Sequence, residues 1–130
     1  MMIISRVLLV LLGLMFLGFG LAFLIRPVAV AGWVDIRAES ATARTELRAF
    51  YGGLEVGLAV FLFAGAAVGG AWLKPALAMG LLASAGPVAG RLTAWAIEGR
   101  LERVMLHILL VEILLAVLAG AALTAEWLRR

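Results

Sequence analysis

The sequence predicts an all-α membrane protein, a four-transmembrane-helix up-and-down bundle, on three observations. First, 65% of the 130 residues are hydrophobic and mean hydropathy is +1.15, where soluble chains are about half apolar. Second, four runs with little or no charge approach the roughly 20 residues that cross a bilayer. Third, the second and third connections are short, so consecutive helices are antiparallel neighbours. No repeat, linker or low-complexity tract divides the chain, and residues 1–130 read as a single integral membrane domain.

The first run, residues 7–25, carries no charge and closes on Arg26 and Pro27. It exceeds the 7–15 residues of a signal-peptide core, so it is expected to remain as a helix over 3–25, although Ala29-Val30-Ala31 resembles a cleavage site. Residues 27–44 are the longest polar connection, and Trp33 in it favours the headgroup layer, which predicts a short interfacial helix or turn. Thr42 or Thr45 is the expected cap of the second helix, with Glu46 suited to its positive first turn.

The second helix is predicted over 45–73, with Trp72, Lys74 and Pro75 marking its exit. The third, over 76–97, is interrupted by Arg91 and carries Gly86 and Pro87, the latter an expected kink. Residues 98–101, Glu-Gly-Arg-Leu, form a tight turn. The fourth helix is predicted over 102–127, with His107 and Glu112 inside it and Trp127, Arg129 and Arg130 as its interfacial anchor. Small residues spaced by four at Gly53/Gly57, Gly65/Gly69, Gly86/Gly90 and Ala116/Gly120 suit close helix contacts.

The chain lacks cysteine and has one histidine, which removes thiolate and multi-histidine metal sites. No metal and no cofactor is expected. The net charge is +3, but the basic residues stand at helix ends rather than in one patch. They suit anionic headgroups, not nucleic acid, so the lipid bilayer is the first expected partner. The side of the first and third connections holds Arg26, Arg37, Arg44, Arg48, Arg100 and Arg103, against Arg6, Lys74, Arg129 and Arg130 opposite, which favours cytoplasmic loops.

The chain is organised around TELRAFYGGLEVG, beginning at Thr45. Helical spacing places Arg48, Tyr51, Gly52 and Glu55 on one face, and on the third helix Arg91 and Glu98 share another. At about 1.5 Å per residue Glu55 lies about 12 Å below its membrane surface, Arg91 about 9 Å, His107 about 8 Å and Glu112 about 15 Å. Charges at such depth need partners. The expected pairs are Glu55 with Arg91 and Arg48 with Glu98.

Three readings of this constellation stand. The charges serve as packing glue; or Arg48, Tyr51, Glu55, Arg91, Glu98, His107 and Glu112 line a ligand-binding pocket; or Glu112, Glu55 and His107 relay protons. No nucleophile with a base at catalytic spacing is visible, so no catalytic residue is assigned. The leading functional expectation is a structural or accessory subunit that packs in a larger membrane complex or homo-oligomer. The alternative is a lipid- or isoprenoid-phosphate-binding protein, carrier or enzyme, with Arg48 and Arg91 holding phosphate and Glu55, Glu98 or His107 as acid or base. Any ligand is expected at the end of the first and third connections, between helices two, three and four, because the opposite half offers no charge until Lys74.

The run Glu46-Leu47-Arg48-Ala49-Phe50-Tyr51-Gly52-Gly53, with Gly57, then Gly90-Arg91 and Glu98-Gly99, resembles the bacterial membrane proteins grouped as domain of unknown function 4345. The resemblance covers helices two to four. It implies a four-helix protein of a bacterial inner membrane with Arg48, Tyr51, Gly52, Gly53 and Arg91 as signature positions, and it implies no activity. Glu98 stands where the family pattern leads one to expect Asp, keeping the charge on a longer arm.

Overall fold

A computed structural model describes residues 2–129, and among these all regular structure is helical. In order these are α1 (Met2–Ile25), α2 (Pro27–Gly32), α3 (Ala41–Glu46), a π-helix (Leu47–Gly53), α4 (Leu54–Val68), a 3-10 turn (Gly70–Trp72), α5 (Leu73–Glu98) and α6 (Arg103–Leu128). Three stretches are long and apolar enough to cross a membrane: Met2–Ile25, the continuous Ala41–Val68 and Arg103–Leu128. α5 matches them in length at 26 residues but not in apolarity, because Lys74, Pro75, Ser84, Pro87, Arg91 and Thr93 dilute it.

The buried residues of α1, Ser5, Leu9, Leu12, Gly13, Phe16, Gly20 and Phe23, recur every three or four positions and so form one stripe. That stripe packs on α4 and the π-helix, while α5 packs on α6; the two pairs meet through α4 with α5 and through α1 with α5 and α6. One core, around Leu9, Leu12, Phe16, Leu62, Leu73 and Leu77, lies where all four long helices meet. Where helices of this kind cross a membrane, dense van der Waals contact rather than expulsion of water supplies the attraction. A second, smaller core joins Phe23 at the end of α1 to Val30, Ala31, Ala38 and Leu47. Residues 26–40 thus fold back on α1 through the predicted short helix.

Two boundaries differ from expectation. The second long helix begins at Ala41, earlier than expected, so its cap is Ser40, whose Oγ accepts from the Ala43 amide at 3.0 Å; Thr45 instead donates to the Ala41 carbonyl. It ends at Val68 rather than near 73, because Gly69 and Gly70 take positive φ of 65° and 51°, a conformation that stops a helix and that glycine adopts without strain. Lys74 and Pro75 consequently belong to the first turn of α5, where a proline removes no hydrogen bond that the helix would have made. Lys74 Nζ sits 4.9 Å from the centre of the Trp127 ring. At the far end Gly99, with φ 70°, caps α5 in the left-handed conformation, as the expected tight turn requires.

Candidate functional site: an Arg–Glu cluster where the helix pairs part

The stripe around Arg48 does share a face, but that face meets α1 rather than α5. Arg48 Nε donates to the Leu24 carbonyl at 3.1 Å, and Tyr51 stacks on Phe23 with ring centres 5.1 Å apart. At Gly52 a β-carbon would stand 2.8 Å from Leu24 side-chain atoms, and one at Gly20 would stand 2.9 Å from the Gly52 carbonyl oxygen. Glycine at both positions is therefore what lets the helices cross this closely. The crossing falls in the seven-residue π-helix, a widened turn that is rare and concentrates at functional sites.

Glu55 follows the π-helix by two residues, and its β-carbon approaches Gly20. Its carboxylate makes no hydrogen bond among the described residues, and Oε2 is buried. The expected Glu55–Arg91 and Arg48–Glu98 pairs do not form. Arg91 Nη1 donates instead to Glu112 Oε2 at 2.5 Å, with the two side chains 26% and 18% exposed. The hairpin geometry explains this: α5 and α6 are antiparallel and joined by a short turn, so Arg91 and Glu112 face each other, and the long Arg arm spans their difference in depth. Arg91 Nε remains buried without a partner among the described residues.

Of the sequence-derived candidates, Arg91 and Glu112 are thus brought together as an ion pair, Glu55 lies where α4 meets Gly20 of α1, and the others stand apart. Arg48 and Tyr51 belong to the α1 contact. Glu98 is exposed and makes no ion pair among the described residues. His107 is exposed, and its Nδ1 lies 2.7 Å from the Arg103 carbonyl oxygen; a carbonyl only accepts, so this nitrogen carries the proton. Beside Tyr51 an open groove of about 510 Å³ is bordered by Ile36, Arg37, Glu46 and Phe50.

The cluster lies where the molecule opens. α5 buries Leu73, Ala76, Leu77, Gly80 and Ser84 and nothing after them, and in the first half of α6 only Leu109 is buried. β-Carbons at Gly86 and Gly90 would meet no neighbour within 4 Å. The far part of this hairpin therefore stands away from α1 and the π-helix, and it carries the Arg91–Glu112 pair.

A second polar contact, at the opposite end, escaped the sequence reading, which expected no charge there before Lys74. Glu126 is 6% exposed, accepts from Ser5 Oγ at 2.8 Å and lies 3.8 Å from Arg129. Arg6 packs its guanidinium against Gly69. The signal was available in the topology, since an up-and-down arrangement brings the start of the first helix beside the end of the last. Among the described residues no group of three or more His, Cys, Asp or Glu side chains could hold a metal ion.

A family model described as "Domain of unknown function (DUF4345)" matches residues 4–123. No curated protein matches the chain, and no solved structure does.

Proposed function

The chain belongs to the DUF4345 family, and from that premise we propose that it is a small integral protein of a bacterial inner membrane, crossing it four times and serving as an accessory subunit. In this reading α5 is the fourth span. Its less apolar half needs the company of another membrane protein or a second copy of the chain. One observation carries this: from residue 85 to the end of α5 no residue is buried, yet this half bears Arg91, whose charged side chain is 26% exposed. A half-helix of that kind facing lipid leaves a polar group where nothing can satisfy it. A neighbouring helix laid along Gly86 and Gly90 would meet open backbone and could approach closely.

The phosphate-holding alternative loses its main support from the same geometry. Arg48 and Arg91 engage different elements, so no two-arginine clamp is assembled, and Glu112 already neutralises Arg91.

Native mass spectrometry of gently extracted protein tests the proposal. A co-purifying membrane protein or a homo-oligomer is expected from the unmodified chain. Gly86→Leu with Gly90→Leu should abolish it and leave the monomer folded, because those β-carbons meet nothing within the chain. A monomer without any protein partner in the unmodified sample refutes it.

A further inference from the structure

α1 runs antiparallel to the second long helix in a register marked by close approaches of Leu24 to Gly52, Gly13 to Phe63 and Arg6 to Gly69. Towards the last of these the helices leave an open groove of about 490 Å³, bordered by Val10 and Leu11 on α1 and by Phe63 and Ala67 on α4, with Arg6 at its head. Phe63, whose ring lies against Gly13, stands at the inner end, about 10 Å from Arg6 along the helix axis. No residue of α5 or α6 lines the groove, so it is separate from the face that the accessory role uses.

Arg6 is the one charged residue bordering the groove. Two other cations of this end have partners: Lys74 lies over the Trp127 ring and Arg129 beside Glu126. Arg6 makes neither a hydrogen bond nor an ion pair among the described residues. An arginine near a helix end ordinarily extends its head into water. This one is laid back on Gly69, where a β-carbon would collide with the guanidinium, and an uncompensated charge is thereby held at the mouth of an apolar trough. With Nε enclosed, the Nη nitrogens of this partly exposed side chain are what a ligand can meet.

We propose that this groove holds an anionic phospholipid of the leaflet on the side of the chain termini, its phosphate on the Arg6 Nη nitrogens and an acyl chain along Val10, Leu11 and Phe63. The charge complementarity is one-sided. No carboxylate borders the groove, so an ammonium group finds no partner there, and a lipid of net negative charge is the occupant that neutralises Arg6. The apolar length below Arg6 calls for hydrocarbon joined to that charge, which a free anion lacks.

The test is native mass spectrometry of the full-length protein in detergent, with phosphatidylglycerol and phosphatidylcholine of equal chain length in competition and inorganic phosphate as a further competitor. Phosphatidylglycerol should be retained at least about tenfold over phosphatidylcholine, the difference expected from a charge-assisted contact, and excess phosphate should not displace it. Arg6→Gln should remove the preference and Arg6→Lys keep part of it. Ala67→Phe, which fills the trough from an exposed position, should lower retention of both lipids. Lys74→Gln takes a cation from the same end and should leave the preference unchanged, which separates a site at Arg6 from a general attraction of anionic lipid to basic residues. Equal retention of the two lipids, displacement by phosphate alone, a preference unchanged in Arg6→Gln or lost in Lys74→Gln, or a homo-oligomer that Ala67→Phe dissociates overturns the proposal. The competition on the unmodified protein decides it even where a variant does not fold.

Discussion

The two ends of the helix array are built on opposite terms. At the end holding the chain termini, leucines from three long helices interlock with Phe16 and Ala119, and the buried Glu126 is held by Ser5. At the other end α1, α2 and the π-helix form their own small core, while the α5–α6 hairpin leans away with Glu55 unpartnered among the described residues. α5 passes through both regimes, buried up to Ser84 and open beyond it. The difference teaches that apolar packing is concentrated at one end while buried polar groups occur at both: among the described residues Arg6 Nε at the closed end lacks a hydrogen-bond partner just as Glu55 Oε2 and Arg91 Nε do at the open one.

The largest expected effect comes from the closed end. Leu62→Ala removes a side chain with no exposure and should lower stability by about 2–5 kcal/mol, whereas Leu92→Ala, at an exposed position of the open half, should change it by less than about 0.5 kcal/mol. Thermal unfolding in one detergent reads both, and similar losses at the two sites would erase the contrast.

Next is the ion pair. Glu112→Gln strips Arg91 of its carboxylate and should reduce stability by about 1–3 kcal/mol, below the fully buried range because both partners are partly exposed. The double variant with Arg91→Gln should recover part of that loss. If the double variant is worse than the sum of the singles, the pair is not the isolated unit described.

The smallest effects sharpen the comparison by sign. Gly69→Ala, at φ 65° and against Arg6, should cost about 1–2 kcal/mol. Gly90→Ala, with no neighbour near its β-carbon and an ordinary helical setting, should raise stability by up to about 1 kcal/mol. Parallel melting curves decide it, and a loss at Gly90 would mean that the open half packs more tightly than its surface indicates.

The sequence made the long helices legible because uncharged runs and their flanking Pro27, Gly99 and arginines are local signals. It also showed that Arg48, Tyr51, Gly52 and Glu55 share a face, since helical spacing is local too. Which helix that face meets is not local: Gly20 in α1 accepts the crossing, and nothing in the Glu55 stripe names Gly20. The same limit explains the mistaken partner of Arg91, whose reach across a hairpin depends on side-chain length rather than on depth counted along the backbone. The break at Gly69 was hidden because two glycines inside an apolar run lower its helical tendency without interrupting its hydropathy.

The hydrogen bond from Ser5 to Glu126 joins residues 121 positions apart, and that separation sets an order of events. During synthesis the first helix is made long before the last, so this contact waits while the intervening chain is laid down. α1 can settle on α4 and the core can begin to close, but the contact with α6 forms only after the carboxyl-terminal turn arrives. The tight end of the array is therefore finished last, and its closure marks the moment at which the chain becomes a completed ring of helices rather than a line of them.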